Sequence, residues 1–280
     1  MTSRPLRFGL CMVGPIPQMK EEARRAEQTG FDVVLLSDHL GMPAPLPPLI
    51  SIAEAAPSLR VGNMVINASF YRPALLARDL ASVDSATGGR LEIGLGTGYV
   101  EEEFHAAGLP FPSAGARVDL VVEHAVEIRR LLSSSDYNPA PAQTPPPIMI
   151  AGIGDRMLAA AAQHADIVAF PGMATRDHLT ERVTFFKDKA GDRSADIELA
   201  FSFFQVGIDD PNDLSVLRFL APGVSDDKLR TLTAYLPGPV EAAADRIRSL
   251  HEVLGITYFT FNLTPTVKWE TLEKLVAALK

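Results

Sequence analysis

Two hydrophobic periods take turns along this chain. Short runs such as Val33-Val34-Leu35-Leu36 and Ile148-Met149-Ile150-Ala151 hold no polar residue. That is the pattern of a strand covered on both faces, as in a parallel sheet. Between such runs lie stretches whose apolar positions recur three and four apart, which read as amphipathic helices. Strands are expected at 6–13, 32–38, 59–68, 90–98, 148–154, 166–170, 197–208 and 256–262. Helices are expected at 18–30, 47–57, 73–89, 155–165, 176–191, 238–255 and 269–279, with a pair around a proline turn between 99 and 132, the second from about Arg117 to Leu132. Gly30 follows a helix as a C-terminal cap, and Pro57 stops another. A proline-rich loop at 133–147 and a polar segment at 209–239 interrupt the alternation. Neither divides two composition regimes, so a single domain over 1–280 is expected. A doubly wound open sheet would alternate in the same way. Eight β/α units in this length are the count of a (β/α)8 TIM barrel with insertions, and that is the expected fold.

Composition narrows the partners. Hydrophobic residues make up 47% and charged ones 21% of 280 residues, enough for a large core. A formal net charge of −8 argues against nucleic acid or an anionic membrane as partner and leaves a small-molecule substrate. The one cysteine, Cys11, excludes an intrachain disulfide and fits a reducing compartment. Residues 1–14 run straight into a strand without a leader-like apolar stretch and cleavage site, and no apolar run approaches the ~18 residues of a membrane span. A cytoplasmic location is expected.

In a parallel barrel the residues leaving each strand border one mouth, where these folds place their chemistry. Here they are Gly14-Pro15, Ser37-Asp38-His39, Asn67-Ala68-Ser69, Gly96-Thr97-Gly98, Gly152-Ile153-Gly154, Pro171-Gly172 and Asn262. Glycines and small polar groups suit a flat cofactor approached by backbone N–H groups better than a metal. "AGIGDRML" (151–158) sets a glycine-rich turn directly before a helix, which is either a tight βα turn or an anion site. "GLGTGYVEEEF" (94–104) has the wrong third position for a dinucleotide fingerprint and sits on the fourth strand, so a Rossmann reading is rejected. His39 is the one histidine at a strand end. His105, His124, His164, His178 and His251 fall in helices, where a surface or half-buried role is the default. Without H-E-x-x-H or paired cysteines no metal site is expected, and without G-x-S-x-G no hydrolase triad. Cys11 reads as a small core residue, and Asp38 taken alone could merely cap a turn.

"SDHL" (37–40), "SATGGRLEIGLGTGYVEEEF" (85–104) and "PPPIMIAGIGDRMLAAAAQHADIV" (145–168), in that order, resemble the bacterial luciferase-like monooxygenase superfamily, and within it the branch using the deazaflavin coenzyme F420. The second segment is the most specific. The resemblance implies a (β/α)8 barrel with the ring of the cofactor in the mouth. It puts the phosphate tail on Ala151, Gly152, Ile153 and Gly154, where N–H groups and a helix start meet an anion. It matches Asp38 and His39 to the family's Asp-His pair, Met64-Val65 to a bulge that often carries a non-proline cis peptide behind the ring, Asn67 to a ring-edge contact, and Gly96, Thr97 and Gly98 to the pocket wall. Some relatives carry a carboxylate where this chain has Tyr99, with Glu101 to Glu103 behind it, which leaves the acid unassigned. The short proline-rich segment after Leu132 would leave the substrate side more open. The basic set that holds a sugar phosphate in some relatives has no equivalent.

The expected activity is hydride transfer between the deazaflavin and an uncharged organic substrate. His39 is the general acid or base, because an imidazole ordinarily titrates near working pH, and Asp38 orients it or bonds the ring. The alternatives are an FMN-dependent monooxygenase supplied with reduced flavin by a partner reductase, and a non-catalytic barrel that binds a flavin-like ligand or a protein. Relatives suggest a homodimer by analogy.

Overall fold

The computed structural model describes residues 4–280. Of the segment 1–14, read as running straight into a strand, the first three residues lie outside the described residues. Eight parallel strands are β1 (Arg7–Met12), β2 (Val33–Leu36), β3 (Arg60–Asn63), β4 (Leu91–Gly96), β5 (Ile148–Ala151), β6 (Ile167–Pro171), β7 (Glu198–Phe203) and β8 (Tyr258–Asn262). Each pairs with the next in sequence, and β8 pairs back onto β1. The sheet is therefore a closed cylinder, the (β/α)8 barrel that the alternation predicts. The helices are α1 (Ile16–Thr29), α2 (Pro47–Ala55), α3 (Pro73–Ala86), α4 (Glu101–Ala106), α5 (Ala114–Leu132), α6 (Asp155–His164), α7 (Arg176–Ala190), α8 (Ser215–Leu220), α9 (Asp226–Arg230), α10 (Val240–Leu254) and α11 (Trp269–Leu279).

Alternation along the strands separates two cores. Phe8, Leu10, Val34, Val61, Ile93 and Phe259 belong to the large core shared with the surrounding helices. Val33, Leu35, Met149, Ile167, Ala169, Ala200 and Tyr258 form a separate cluster inside the barrel. Charge closes the end where the strands begin. Arg7 bonds Glu92 at 2.8 Å and Glu198 at 2.9 Å, and Arg60 bonds Glu92 at 2.7 Å. The Arg7 guanidinium also lies 4.3 Å from the centre of the buried Tyr258 ring. Such a plugged interior is a packed core, not a pore, which leaves the other end for ligands.

Two segments differ from expectation, and a third carries the bulge that the family resemblance implies. The third strand, read from periodicity as one run over 59–68, breaks after Asn63 at that bulge, with a cis Met64–Val65 peptide, and resumes as the short strand Ile66–Asn67. Glycines on β4 make room for this bulge: a Cβ at Gly94 would lie 1.9 Å from the Asn63 carbonyl oxygen, and one at Gly96 2.3 Å from Val65 Cγ2. The seventh strand likewise ends early, and Gln205–Gly207 pairs instead with Tyr235–Pro237. The 209–239 segment between them is not structureless, since it holds α8 and α9 around its own core of Leu214, Leu217, Leu229, Ala234 and Tyr235. The second departure concerns the proline-rich loop 133–147. Gln143 fastens it to Asp84 (both bonds 2.7 Å), to the Leu91 carbonyl at 2.9 Å and to Arg60 at 3.1 Å. Those partners all lie where strands begin, so the loop covers the closed end and its length has no bearing on the substrate side.

The glycine-arginine signature is structural. Gly88 and Gly89 have φ of 66° and 78°, a left-handed turn that glycine adopts at no steric cost. Arg90 behind them donates to the carbonyls of Ala53, Ala56, Leu59 and Thr87, tying the end of α2 to the end of α3.

Candidate active site

At the open end β2 delivers Ser37, Asp38 and His39 as the sequence predicts, but the neighbouring acids do different work. The Asp38 carboxylate is turned into the bulge. Its Oδ2 accepts the Asn67 backbone N–H at 3.0 Å, with the Tyr71 hydroxyl nearby. Burial raises its pKa above the ordinary aspartate value, against the opposing pull of Asn67, Tyr71 and His39. Burial, with Asp38 adding to it, pushes the Tyr71 phenol up as well. The imidazole partner is Glu103 from α4, whose Oε1 lies 2.8 Å from His39 Nδ1. The structure thus gives Glu103 the orienting place expected for Asp38. Tyr99 meets the His39 ring edge-on with centroids 5.7 Å apart. Burial, then Glu103, raises the Tyr99 phenol, which keeps it protonated.

The remaining predicted residues join this group into one mouth. Met64, Val65 and Ala151 pack as partly buried apolar groups on top of the inner cluster, together with Cys11. They form a flat apolar step at the open end of the barrel, and Cys11 belongs to it, not to the sealed core. Burial pushes its thiol up to about 12, against the opposing Thr260 hydroxyl. Asn67 lies under Gly98, whose φ of 64° and lack of a side chain matter, since a Cβ there would stand 2.3 Å from Asn67 Nδ2. Thr97 then faces a cleft of about 520 Å³ shared with Ala151, Gly152, Ile153 and Gly154.

That cleft offers backbone donors of the kind that suit an anion. Gly154 is the N-cap of α6 and offers no side-chain acceptor, so the N–H groups of the first helical turn stay available. A Cβ on Gly154 would meet nothing within 4 Å, whereas one on Gly152 would lie 2.4 Å from Met157 Cγ. Gly154 thus opens onto the cleft, while Gly152 serves the packing of the turn itself. Two arginines absent from the sequence-based site, Arg117 and Arg156, line the cleft beside the acidic Asp155, and Arg156 is itself paired with Asp119 at 2.6 Å. Arg117 donates to the Pro112 carbonyl at 2.6 Å and stacks over Phe111 at 4.1 Å, leaving a buried Nε without a partner. Their only sequence signal was a basic residue near the start of α5 and another in the first turn of α6. An isoalloxazine-like ring on the apolar step, with a phosphate at the cradle, fits these residues.

Elsewhere the structure offers less. A cleft of about 580 Å³ lies outside the barrel along α5 and α6, but its arginines are engaged: Arg129 with Asp166 at 2.7 Å, Arg130 with Glu127, and Arg193 with the Ala162 and Ala165 carbonyls. His124 is buried, contrary to the helical default, and braces the Leu120 and Tyr71 carbonyls. Among the described residues no helix is long and apolar enough to cross a membrane.

Known proteins agree with this picture. An uncharacterised protein of Mycobacterium tuberculosis is 29% identical over 209 residues, 69% of each chain. An F420-dependent glucose-6-phosphate dehydrogenase of Amycolatopsis mediterranei is 32% identical over 127 residues, covering 42% of this chain and 38% of that one. Among solved structures, an F420-dependent secondary alcohol dehydrogenase with an F420-acetone adduct superposes with a TM-score of 0.82 at 20% identity, over 99% of this chain and 100% of that one. The FMN-bound oxygenating constituent of 3,6-diketocamphane monooxygenase from Pseudomonas putida reaches 0.79 at 14% identity, over 99% and 98%. The luciferase-like monooxygenase family model matches residues 8–217. That span reaches from the first barrel strand past the seventh and takes in His39, the bulge and the glycine cradle, and the chain belongs to the luciferase-like monooxygenase family.

Proposed function

We propose that this protein is an F420-dependent oxidoreductase moving a hydride to or from an uncharged organic substrate. The observation that carries the reading is the continuity of the open end: an apolar step, an uncapped helix start with two arginines on one side, and an oriented imidazole on the other. The preference for the deazaflavin over FMN rests on sequence. Named relatives at 30–33% identity over 41–45% of this chain are F420-dependent, and among fold neighbours the F420-dependent ones stand at 18–20% against 14–15% for the FMN-containing ones.

When bound, the deazaflavin supplies C5 as a two-electron hydride acceptor or donor. The chain's own groups do the rest. The first turn of α6, with Arg117 and Arg156, would hold the anionic tail, and Cys11, Met64, Val65, Ala151, Asn67 and Thr97 would hold the ring. Glu103 accepts the Nδ1 proton of His39, which leaves Nε2 free to take the hydroxyl proton of an alcohol. Oxidation of the alcohol would leave that proton on Nε2, with the carbinol hydride and its electron pair passing to the deazaflavin and the alcohol becoming a carbonyl compound. In reverse, His39 returns the proton.

Fluorescence titration of the purified protein with F420 and with FMN tests the cofactor. Tight F420 binding without FMN binding is expected. FMN binding with oxygen consumption that needs a reductase would replace the reading with the monooxygenase one. His39→Ala is expected to cut turnover and keep F420 affinity within a few fold, and unchanged turnover would remove His39 from the mechanism.

A further inference from the structure

The open end has two chemically different sides. The cationic side, with Arg117 and Arg156, flanks the β5 exit. The side next to His39 is apolar. Among the described residues nine large hydrophobic side chains are exposed, and five of them, Val13, Ile16, Leu40, Met42 and Tyr99, sit at the exits of β1, β2 and β4. In a parallel barrel those exits share one end with the imidazole, whereas the exposed Leu75, Val126, Phe219 and Val253 lie on α3, α5, α8 and α10. Leu40 and Met42 are 48% and 42% exposed, yet their loop is held: the Met42 N–H donates to the His39 carbonyl at 3.2 Å, Asn63 Nδ2 bonds the Pro45 carbonyl at 2.9 Å, and Leu46 is buried at its base.

Charge on this side is acidic or absent. Residues 13–15 and 37–46 contain no lysine or arginine. The titratable groups facing His39 are Asp38, Glu103 and Tyr99. A phosphate or carboxylate brought here would lose its hydration and meet carboxylates without a cation to replace it. An alkyl or alicyclic group would instead cover side chains that now face water, at about 25 cal/mol per Å² of apolar surface.

We propose that the substrate is an apolar alcohol or the matching carbonyl compound, with its hydrocarbon portion on Val13, Ile16, Leu40 and Met42 and its oxygen at His39. This rests on the F420 reading above and names the substrate class for it. The sugar-phosphate chemistry in the names of some relatives is not carried over.

Two arms test it. F420-loaded protein is assayed with the series from 2-propanol to 2-octanol and with glucose 6-phosphate. The value of kcat/KM is expected to rise about 4-fold per methylene until the patch is covered, which is ~0.8 kcal/mol for each CH2, with glucose 6-phosphate at least ~100-fold below 2-octanol. A flat series, or glucose 6-phosphate turned over as well as 2-octanol, overturns the proposal. In the second arm the cofactor-free protein is titrated with Nile red, a neutral apolar dye, and 2-octanol is added as competitor. Displacement is expected in the wild type, and at least ~10-fold weaker dye binding in Leu40→Asp and Met42→Glu, both exposed changes that leave packing alone. Dye binding untouched by either substitution removes the patch from the site. Light scattering of the two variants completes the test: a wild-type dimer that falls apart on Leu40→Asp, with the alcohol series unchanged, assigns the patch to a second copy of the chain and ends the proposal. A protein that takes up no F420 sinks the cofactor reading, while the dye arm still decides whether the patch binds an apolar molecule.

Discussion

Gly152 and Gly154 stand two residues apart in one loop, and substituting each by alanine separates ligand binding from folding. Gly154 has φ −72° and ψ 152°, which alanine adopts freely, and its added Cβ meets open space. The only cost to the fold is the poorer N-cap, about 1 kcal/mol or less, which lowers Tm by roughly 2 °C in a chain of this size. Alanine at 152 would instead place a Cβ 2.4 Å from Met157 Cγ. Overpacking of this kind costs about 1–3 kcal/mol. If the cradle holds the cofactor phosphate, the Gly154 methyl stands where the anion approaches. Losing one backbone hydrogen bond to a charged group, about 2 kcal/mol, weakens binding about 30-fold. The assay is a fluorescence titration with F420 and, in parallel, with its phosphate-free deazaflavin core, together with a thermal melt. Gly154→Ala should lose F420 affinity, keep affinity for the core compound and melt almost as the wild type does. A loss under 3-fold, or an equal loss for both ligands, would refute the cradle.

Four further outcomes follow from the geometry. Glu103→Ala should reduce turnover about 10-fold, the low end for a partly exposed charge-assisted bond, with Glu103→Gln between it and wild type and cofactor affinity nearly constant; full activity in Glu103→Ala would leave His39 without need of an orienting partner. The Cys11 thiol, moved from 9.0 to about 12, should carry about 1000-fold less thiolate than an ordinary cysteine at pH 8, so disulfide reagents should label it slowly in the folded protein and rapidly in urea, and equal rates would show that it is not desolvated. Because burial raises the Asp38 pKa in the fold, the native state holds that proton more tightly than the unfolded chain, and stability falls as pH rises through the window above the ordinary aspartate value. Asp38→Asn should therefore raise Tm at pH 7 and converge on wild type below that window; a constant offset across pH would contradict the sign. Arg90→Ala strands four carbonyls and should cost about 3 kcal/mol without touching cofactor affinity, so a cofactor effect with an unchanged melt would make the signature a binding element.

The periodicity was enough to place eight strands alternating with helices, because a strand buried on both faces must read as an apolar run and a helix on the sheet must repeat at 3.6. An open doubly wound sheet alternates in the same way, and only the pairing of β8 with β1 closes the barrel. The periodicity also placed Asp38, His39 and the glycine turns at one end, since parallel strands all finish on the same side. What each polar group bonds was a different matter. Asp38 and His39 are adjacent in the chain, yet one carboxylate turns to the Asn67 amide and the imidazole turns to Glu103, 64 residues on. The floor network, the pairing of Gln143 with Asp84 that sends the proline loop to the closed end, and the arginines at the cradle are likewise contacts between distant segments. Sequence periodicity records which face a residue takes, a property of its own backbone. Which partner it meets there depends on how neighbouring strands are staggered and how helices cross them, and only the closed barrel sets that.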